Sequence, residues 1–257
     1  MLHAALLLLA TATHATAASN PNLRYFSLYG AESGLQPAAA AKWVNFLSTS
    51  ANTTQIARFR KGGVGPSLWP AQSTFFCGRL LCPDYEAKWK ALLTSTIAPG
   101  LKDGSLMGIH FGDELCWSCT PWQNLSAAVD LVRGDLPRGK AILTYNEAWP
   151  VFALNDGDKS EGGLWQWNCD TGGGAHNATP APGMAPVRYP RVPDGLDWLS
   201  LDYYPAEGTV AGTIKLFQSR IYPNMSKVQK IMFVPPGYSS NTAASRNSLC
   251  CSNAVSS

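Results

Sequence analysis

Histidine is scarce in this chain. Of four in 257 residues, only His110 and His176 lie beyond the first eighteen. The Cys116-Trp-Ser-Cys119 pair has no second CxxC and too few histidines nearby to complete a zinc site. A redox pair is the other chemical alternative, but a thioredoxin-like site belongs near the start of a domain, after its first strands. The favoured reading of Cys116 and Cys119 is a structural disulfide, and no metal or cofactor is expected. Charge is low too, at 14% of residues with a formal net charge of +3. Arg58-Phe-Arg60-Lys61, Lys227 and Lys230 are scattered cations, not the basic stripe of a nucleic-acid binder. Heptads, internal repeats and charged tails are absent. No Gly-rich phosphate loop follows the first expected strand, which counts against a doubly wound nucleotide-binding sheet. No apolar run reaches the roughly 20 residues needed to span a bilayer.

Features of export are present. Residues 4–10 form a short apolar run, followed by small residues with Ala15 and Ala17 suited to a cleavage site near residue 17 or 18. No Lys or Arg precedes the run. Asn52-Thr-Thr, Asn124-Leu-Ser, Asn177-Ala-Thr and Asn224-Met-Ser each fit the N-glycosylation pattern. All seven cysteines follow the leader, as an oxidising compartment predicts. Cys77 with Cys82, and Cys116 with Cys119, are close enough to close small loops. Cys169, Cys250 and Cys251 remain, so an odd thiol is left over. The expectation is a secreted, disulfide-bearing glycoprotein.

Beyond the leader the chain alternates strand and helix. Residues 24–29 are a β-rich run ending at Gly30, and Pro37 opens an Ala-rich helix through Leu47 with Trp43, Phe46 and Leu47 at helical spacing. Residues 55–60 read as a second strand ended by Gly62-Gly63. The stretch 64–83 reads as loop, with a short strand around 74–76. Helices are predicted over 85–97, 122–133 and 210–221, and strands over 106–111, 140–145, 196–203 and 230–234. Strands separated by single helices pair in parallel through right-handed crossovers. The sequence thus predicts an α/β fold, a (β/α)8 TIM-like barrel over 19–238, with 1–18 as signal peptide and 239–257 as a polar, Cys-containing tail. The residues after Val234 leave no room for another βα unit plus strand, so either the barrel closes unusually or the chain is truncated.

In parallel barrels the active site lies at the C-terminal ends of the strands. Three expected strands end in acids: Gly112-Asp113-Glu114, Asn146-Glu147, and Asp202-Tyr203-Tyr204. Alternation puts Ser200, Asp202 and Tyr204 on the inward face, with Leu199 and Leu201 toward the helices. The same test puts Gly108, His110, Gly112 and Glu114 inward, so Glu114 is favoured over Asp113. The 140–145 strand leaves its parity open. Arg58 and Arg60 share a parity, and an inward Arg60 would orient a carboxylate. The Gly- and Pro-rich stretch 155–193 follows the Asn146-Glu147 strand end and is long enough to fold over the mouth as a lid.

These strand ends resemble those of TIM-barrel glycoside hydrolases. Asn146-Glu147 is similar to the acid/base motif of the large retaining clan, and Asp202-Tyr203-Tyr204 to the sixth strand of chitinase-like barrels. The chitinase DxxDxDxE run is absent, and the seventh strand ends Val234-Pro235-Pro236-Gly237 without a nucleophilic Glu. The resemblance covers scattered segments between about residues 23 and 238. It implies hydrolysis of O-glycosidic bonds in a polysaccharide or other glycan. Two carboxyl groups would do the work, one protonated and one ionised. Glu114 or Glu147 is the expected acid, with Asp202 or the other Glu as partner and Asp113 a further candidate. Asn146, Arg60, Tyr29, Trp117, Trp149 and Tyr204 are candidate substrate contacts. A catalytically silent carbohydrate- or protein-binding barrel is the alternative, and a metal hydrolase on Glu114, Asp202 and His110 a third.

Overall fold

A computed structural model of the chain describes residues 36–42, 45–47, 51–148, 165–167, 187–202 and 217–234. The expected strand at 24–29, most of the expected helix at 210–221 and the tail lie outside them.

Pro37 opens a helix of only four residues, α1 (Pro37–Ala40). The expected continuation to Leu47 does not form. Leu47 instead makes a parallel bridge to Ser67, giving its N–H to Pro66 and accepting from Leu68. Residues 55–60, read as a strand, lie in a helix, α2 (Thr53–Lys61). Asn52 decides this locally, because its Oδ1 accepts the Gln55 N–H at 3.0 Å and caps the first turn. Ile56 and Phe59, three apart, form the buried stripe, and the cations Arg58, Arg60 and Lys61 occupy the last turn, where the helix dipole favours them. Gly62 then packs on α1, where a Cβ would lie 2.3 Å from that of Pro37.

The segment read as loop holds strand β1 (Ser67–Pro70), helix α3 (Gln72–Phe75) and a hairpin of β2 (Phe76–Cys77) and β3 (Leu80–Leu81). The Cys77–Cys82 disulfide closes that hairpin, as the spacing predicts. Helix α4 (Tyr85–Leu92) runs through a π-turn, Leu93–Ile97, into α5 (Ala98–Lys102). Strand β4 (Leu106–His110), helix α6 (Trp122–Asp135) and strand β5 (Ile142–Ala148) follow. Within the expected lid stretch, β6 (Trp165–Trp167) pairs antiparallel with β7 (Val187–Tyr189). Strands β8 (Trp198–Asp202) and β9 (Lys230–Val234) complete the described sheet, with a π-turn, Phe217–Ile221, and a 3-10 turn, Tyr222–Asn224, between them.

Five strands form one sheet in the order β1-β4-β5-β8-β9, and every pairing is parallel. Leu47 adds a bridge beyond β1. Spatial order follows chain order without reversal, so the described strands contain no switch point of a doubly wound sheet. Gly108 permits the closest approach: a Cβ there would sit 2.0 Å from the Ile142 carbonyl oxygen.

The two faces of the sheet differ. Ile109, Leu143, Tyr145, Leu199 and Leu201 share one face and are fully buried in the core with Leu125, Ala128, Val129 and Val132 of α6. Each such side chain contributes roughly 1.5–3 kcal/mol on burial. The other face carries His110, Thr144, Asn146 and Ser200, all buried and all polar. The alternation expected from the sequence is therefore present on β4 and β8. It also places Asn146 on the polar face of β5 and Glu147 on the apolar one, opposite Leu201.

At the opposite edge from the strand ends, Asp197 joins three elements. Its carboxylate accepts from Arg133, from Arg138 at 2.8 Å and from the Leu143 N–H at 2.8 Å. Arg133 also gives hydrogen bonds to the carbonyls of Gly195, Leu136 and Ala141, so the end of α6 is tied to the starts of β5 and β8.

Candidate active site

The site is built on the turn that follows β4. At Gly112 a side chain would not fit, since a Cβ would lie 2.7 Å from Leu115 Cδ2 and 3.1 Å from Gln72. Gln72 in turn accepts the Asp113 N–H at 3.3 Å through its Oε1. Glu114 takes the left-handed conformation, with φ of 50°, and Cys119 does the same at 61°. Non-glycine residues enter that region only where the surroundings hold them there. The holding contacts are specific. The Glu114 N–H donates to the Asn146 carbonyl at 2.8 Å, the Asn146 N–H to the Gly112 carbonyl at 3.0 Å, and the Ser118 N–H to the Glu114 carbonyl at 2.7 Å.

Two side chains of β5 grip the same turn from opposite faces. Asn146 Nδ2 donates to Asp113 Oδ1 at 2.6 Å. Glu147, fully buried, accepts the Cys116 N–H at 2.8 Å with Oε2 and the Trp117 N–H at 3.2 Å with Oε1. Tyr145 and Tyr189 lie near that carboxylate, with ring centroids 6.4 Å apart. Burial above all pushes both phenols well above their ordinary value, and the Glu147 carboxylate adds to the shift. Tyr189 donates to the Thr120 carbonyl at 3.0 Å, and the Trp122 indole donates to the Arg191 carbonyl at 2.8 Å. The β6–β7 ribbon is thereby pinned at the start of α6, beside the mouth.

On the polar face, His110 sits one layer below Asn146. Burial lowers its imidazole to about 4, with the charge of Asp113 opposing the shift. Asn146 Oδ1 and Ser200 Oγ, both buried, have no hydrogen-bond partner among the described residues, and these two residues are register partners on adjacent strands. Buried polar atoms are otherwise almost always paired, so the position suits a ligand hydroxyl or a water.

The structure thus brings Asp113, Glu114, Asn146 and Glu147 together, with Asp202 at the end of β8 opposite Ala148 and on the face of Ser200 and Asn146. It changes two expectations about them. Asp113 reaches the polar face through Asn146, because Gly112 and the left-handed Glu114 break the alternation that holds through His110. Arg60 is not inward at all. It ends α2, pairs with Asp103 at 3.7 Å and donates to the Asp103 carbonyl at 3.1 Å on the exposed surface.

Trp117 contributes its backbone N–H to the Glu147 clamp, and its ring packs against the core. Tyr29, Trp149 and Tyr204 lie outside the described residues, as does Asn177. Asn52 caps α2, Asn124 gives its side-chain N–H to the Arg79 carbonyl at 3.4 Å, and Asn224 ends the 3-10 turn. The Cys116–Cys119 disulfide does not form. Cys116 is a buried thiol, and Cys119 is disulfide-bonded elsewhere. Gln72 and Ser200 were missed. Ser200 carried a signal in its parity with Asp202, whereas Gln72 reaches the site only because β1 places α3 beside β4. Among the described residues, no group of three or more His, Cys, Asp or Glu side chains is arranged to hold a metal ion.

No protein-family model matches the chain, and no curated protein matches it. Solved structures do. One is Gas2 in complex with a small compound, at 10% identity and a TM-score of 0.42, covering 82% of this chain and 48% of that one. An apo structure of a Saccharomyces cerevisiae Gas2p mutant matches at 9% identity and 0.41, covering 77% and 38%. A GH18 chitinase from Pseudoalteromonas aurantia matches at 13% and 0.40, covering 80% and 78%. This chain spans less than half the length of the Gas2 structures. Glycoside hydrolases are therefore among the structures to which the chain is similar.

Proposed function

We propose that the chain is a (β/α) barrel that hydrolyses glycosidic bonds with paired carboxyl groups at its strand ends. The observation that carries the reading is the register of β4, β5 and β8. These strands are immediate neighbours, all parallel, and the acids of all three stand on one edge of one sheet. Glycoside hydrolysis needs one carboxyl group to protonate the leaving oxygen and a second, ionised, to act as nucleophile or base. Asp113 and Glu114 on the β4 turn and Asp202 at the end of β8 are the candidates for that pair. The Asn146 and Ser200 oxygens supply acceptor positions for sugar hydroxyls beside them.

The reading includes export through the leader and glycosylation at the sequons, with the Cys77–Cys82 disulfide in support. The partner is a polysaccharide or other glycan, and no cofactor is called for.

A second reading, a catalytically silent barrel that binds carbohydrate or protein, is favoured by one feature. Strand β9 ends Val234-Pro235-Pro236-Gly237, without the acid that a retaining mechanism would take from that position.

Release of reducing ends from a panel of polysaccharides and aryl glycosides by the secreted protein tests the first reading. Asp113→Asn, Glu114→Gln and Asp202→Asn are assayed in parallel. Hydrolysis that collapses by more than 100-fold, on the order of a lost acid–base group, in Asp202→Asn and one β4-turn variant supports it. Well-folded protein that binds glycans without cleaving them supports the second.

A further inference from the structure

We propose that Glu147 is a positioning residue, whose carboxylate locks the turn after β4 so that Asp113 and Glu114 stand at the mouth, and that it is not the proton donor. The inference rests on the glycosidase reading above and deepens it, because it reassigns one of the acids that the Asn146-Glu147 pair offers.

Four observations converge. First, register places Glu147 opposite Leu201 on the apolar face of the sheet, whereas Asn146, Ser200 and Asp202 share the polar face. Second, Glu147 is 0% exposed, so neither oxygen is open to solvent. Third, its two oxygens accept N–H groups from consecutive residues, Cys116 and Trp117, which is the way a carboxylate fixes a backbone turn. Fourth, that turn needs fixing, since it holds two non-glycine residues, Glu114 and Cys119, in the left-handed region.

The strand's alternation explains how one dipeptide does this. Asn146 points to one face and binds the Asp113 side chain, and Glu147 points to the other and binds the backbone three and four residues further on. Gln72 holds the Asp113 N–H from α3 as a third point. With the turn gripped on both sides of the sheet, Asp113 and Glu114 are presented from a fixed backbone. Loss of the Glu147 grip would release the left-handed residues toward ordinary conformations and carry the acids away from the scissile bond. A misplacement of about 1 Å is enough to cost on the order of 100-fold in rate.

The test uses the full chain and Glu147→Gln, which keeps size but turns an N–H donor toward the turn's own donors. Three readouts are taken. Cys116 lies inside the clamped turn, so its native-state reaction with a chromogenic disulfide should rise about tenfold or more in the variant. Hydrolysis should fall mainly in kcat, with both limbs of the pH profile kept and no rescue by aryl glycosides with good leaving groups or by azide. In the wild-type protein, the Cys116 and Trp117 amides should exchange with deuterium at least 100-fold more slowly than an open turn, a measurement that needs no variant to fold. Loss of one pH limb with rescue by azide overturns the proposal, as does rapid exchange at both amides. If no substrate is cleaved by any form, the glycosidase reading fails, while thiol and exchange data still decide whether Glu147 holds the turn.

Discussion

Asn146 donates its side-chain N–H to the Asp113 carboxylate at 2.6 Å, joining the end of β5 to the turn that follows β4. Both backbone groups of Asn146 also serve that turn, through Gly112 and Glu114. One residue thus continues the parallel ladder past the end of β4 and fixes an acid's direction at the same time.

Replacing Asn146 with Ala leaves the ladder bonds but removes the donor. A hydrogen bond to a charged group is worth about 1.5–3 kcal/mol, so the urea midpoint should fall by that equivalent. Hydrolysis should drop by at least about tenfold for a 1.4 kcal/mol loss in positioning. Unchanged stability together with unchanged hydrolysis would mean that the Asp113 contact has no role in the site.

Much of this arrangement was legible in the sequence, and the reasons for the failures are local. Strands β4 and β8 and helix α6 follow from alternation and helical spacing, and β9 from a short apolar run bounded by Pro235-Pro236-Gly237. Helix α2 was misread because Ile56, Arg58 and Arg60 alternate as a strand does. The deciding features were the Ile56–Phe59 spacing and the Asn52 cap. Strand β1 was hidden by Gly65, Pro66 and Pro70, and four residues between such breakers become a strand only when β4 pairs beside them. The convergence of acids on one edge was visible, since each ended an expected strand. Their orientation was not, because alternation stops at Gly112 and Glu114, where contacts with Asn146, Leu115 and Gln72 set the backbone instead.

His110 gives the fold a pH dependence of defined sign. Its imidazole titrates near 6.5 in the unfolded chain, and burial lowers it to about 4 in the folded one, with Asp113 opposing. Between these values the unfolded chain binds a proton that the folded chain does not. Stability from this group is therefore complete above pH 6.5 and is lost as the pH falls toward about 4. The full difference corresponds to about 3 kcal/mol. Urea unfolding at pH 7 and pH 4.5 should show a steeper loss in wild type than in His110→Gln. Parallel losses in the two proteins would show that the folded imidazole accepts a proton as readily as the unfolded one.

Asp197 anchors the edge of the sheet away from the site. Arg133, Arg138 and the Leu143 N–H all converge on its carboxylate, which is 19% exposed, beside an Arg133 side chain at 12%. Removing one member of such a cluster strands the remaining charges. Asp197→Ala should cost about 3 kcal/mol, which for a domain of this size lowers Tm by roughly 6–12 °C. Asp197→Asn keeps an acceptor for the Leu143 N–H and should cost less. Activity per folded molecule should be unchanged in both, because the strand starts lie across the sheet from the acids. A loss of specific activity would mean that the network reaches the mouth.

The cysteines make a sharper chemical prediction. Cys116 and Cys119 are three apart, and the Cys119 N–H closes a turn on the Cys116 carbonyl at 2.9 Å, yet they do not bridge. Cys116 has its N–H on Glu147 and its thiol in the core, while the left-handed backbone at Cys119 belongs to a residue bonded elsewhere. A buried thiol among apolar and phenolic neighbours is inert until it is exposed. Alkylation of the native protein should therefore leave Cys116 unlabelled, and unfolding without reductant should expose it. Cys77, Cys82 and Cys119 should remain unlabelled until reductant is added. Peptide mapping under non-reducing conditions should recover Cys77 joined to Cys82, and Cys119 joined to a cysteine other than Cys116. A recovered Cys116–Cys119 bridge would overturn the arrangement of the turn, since bringing the two sulfurs together would pull the Cys116 N–H from the carboxylate that holds it.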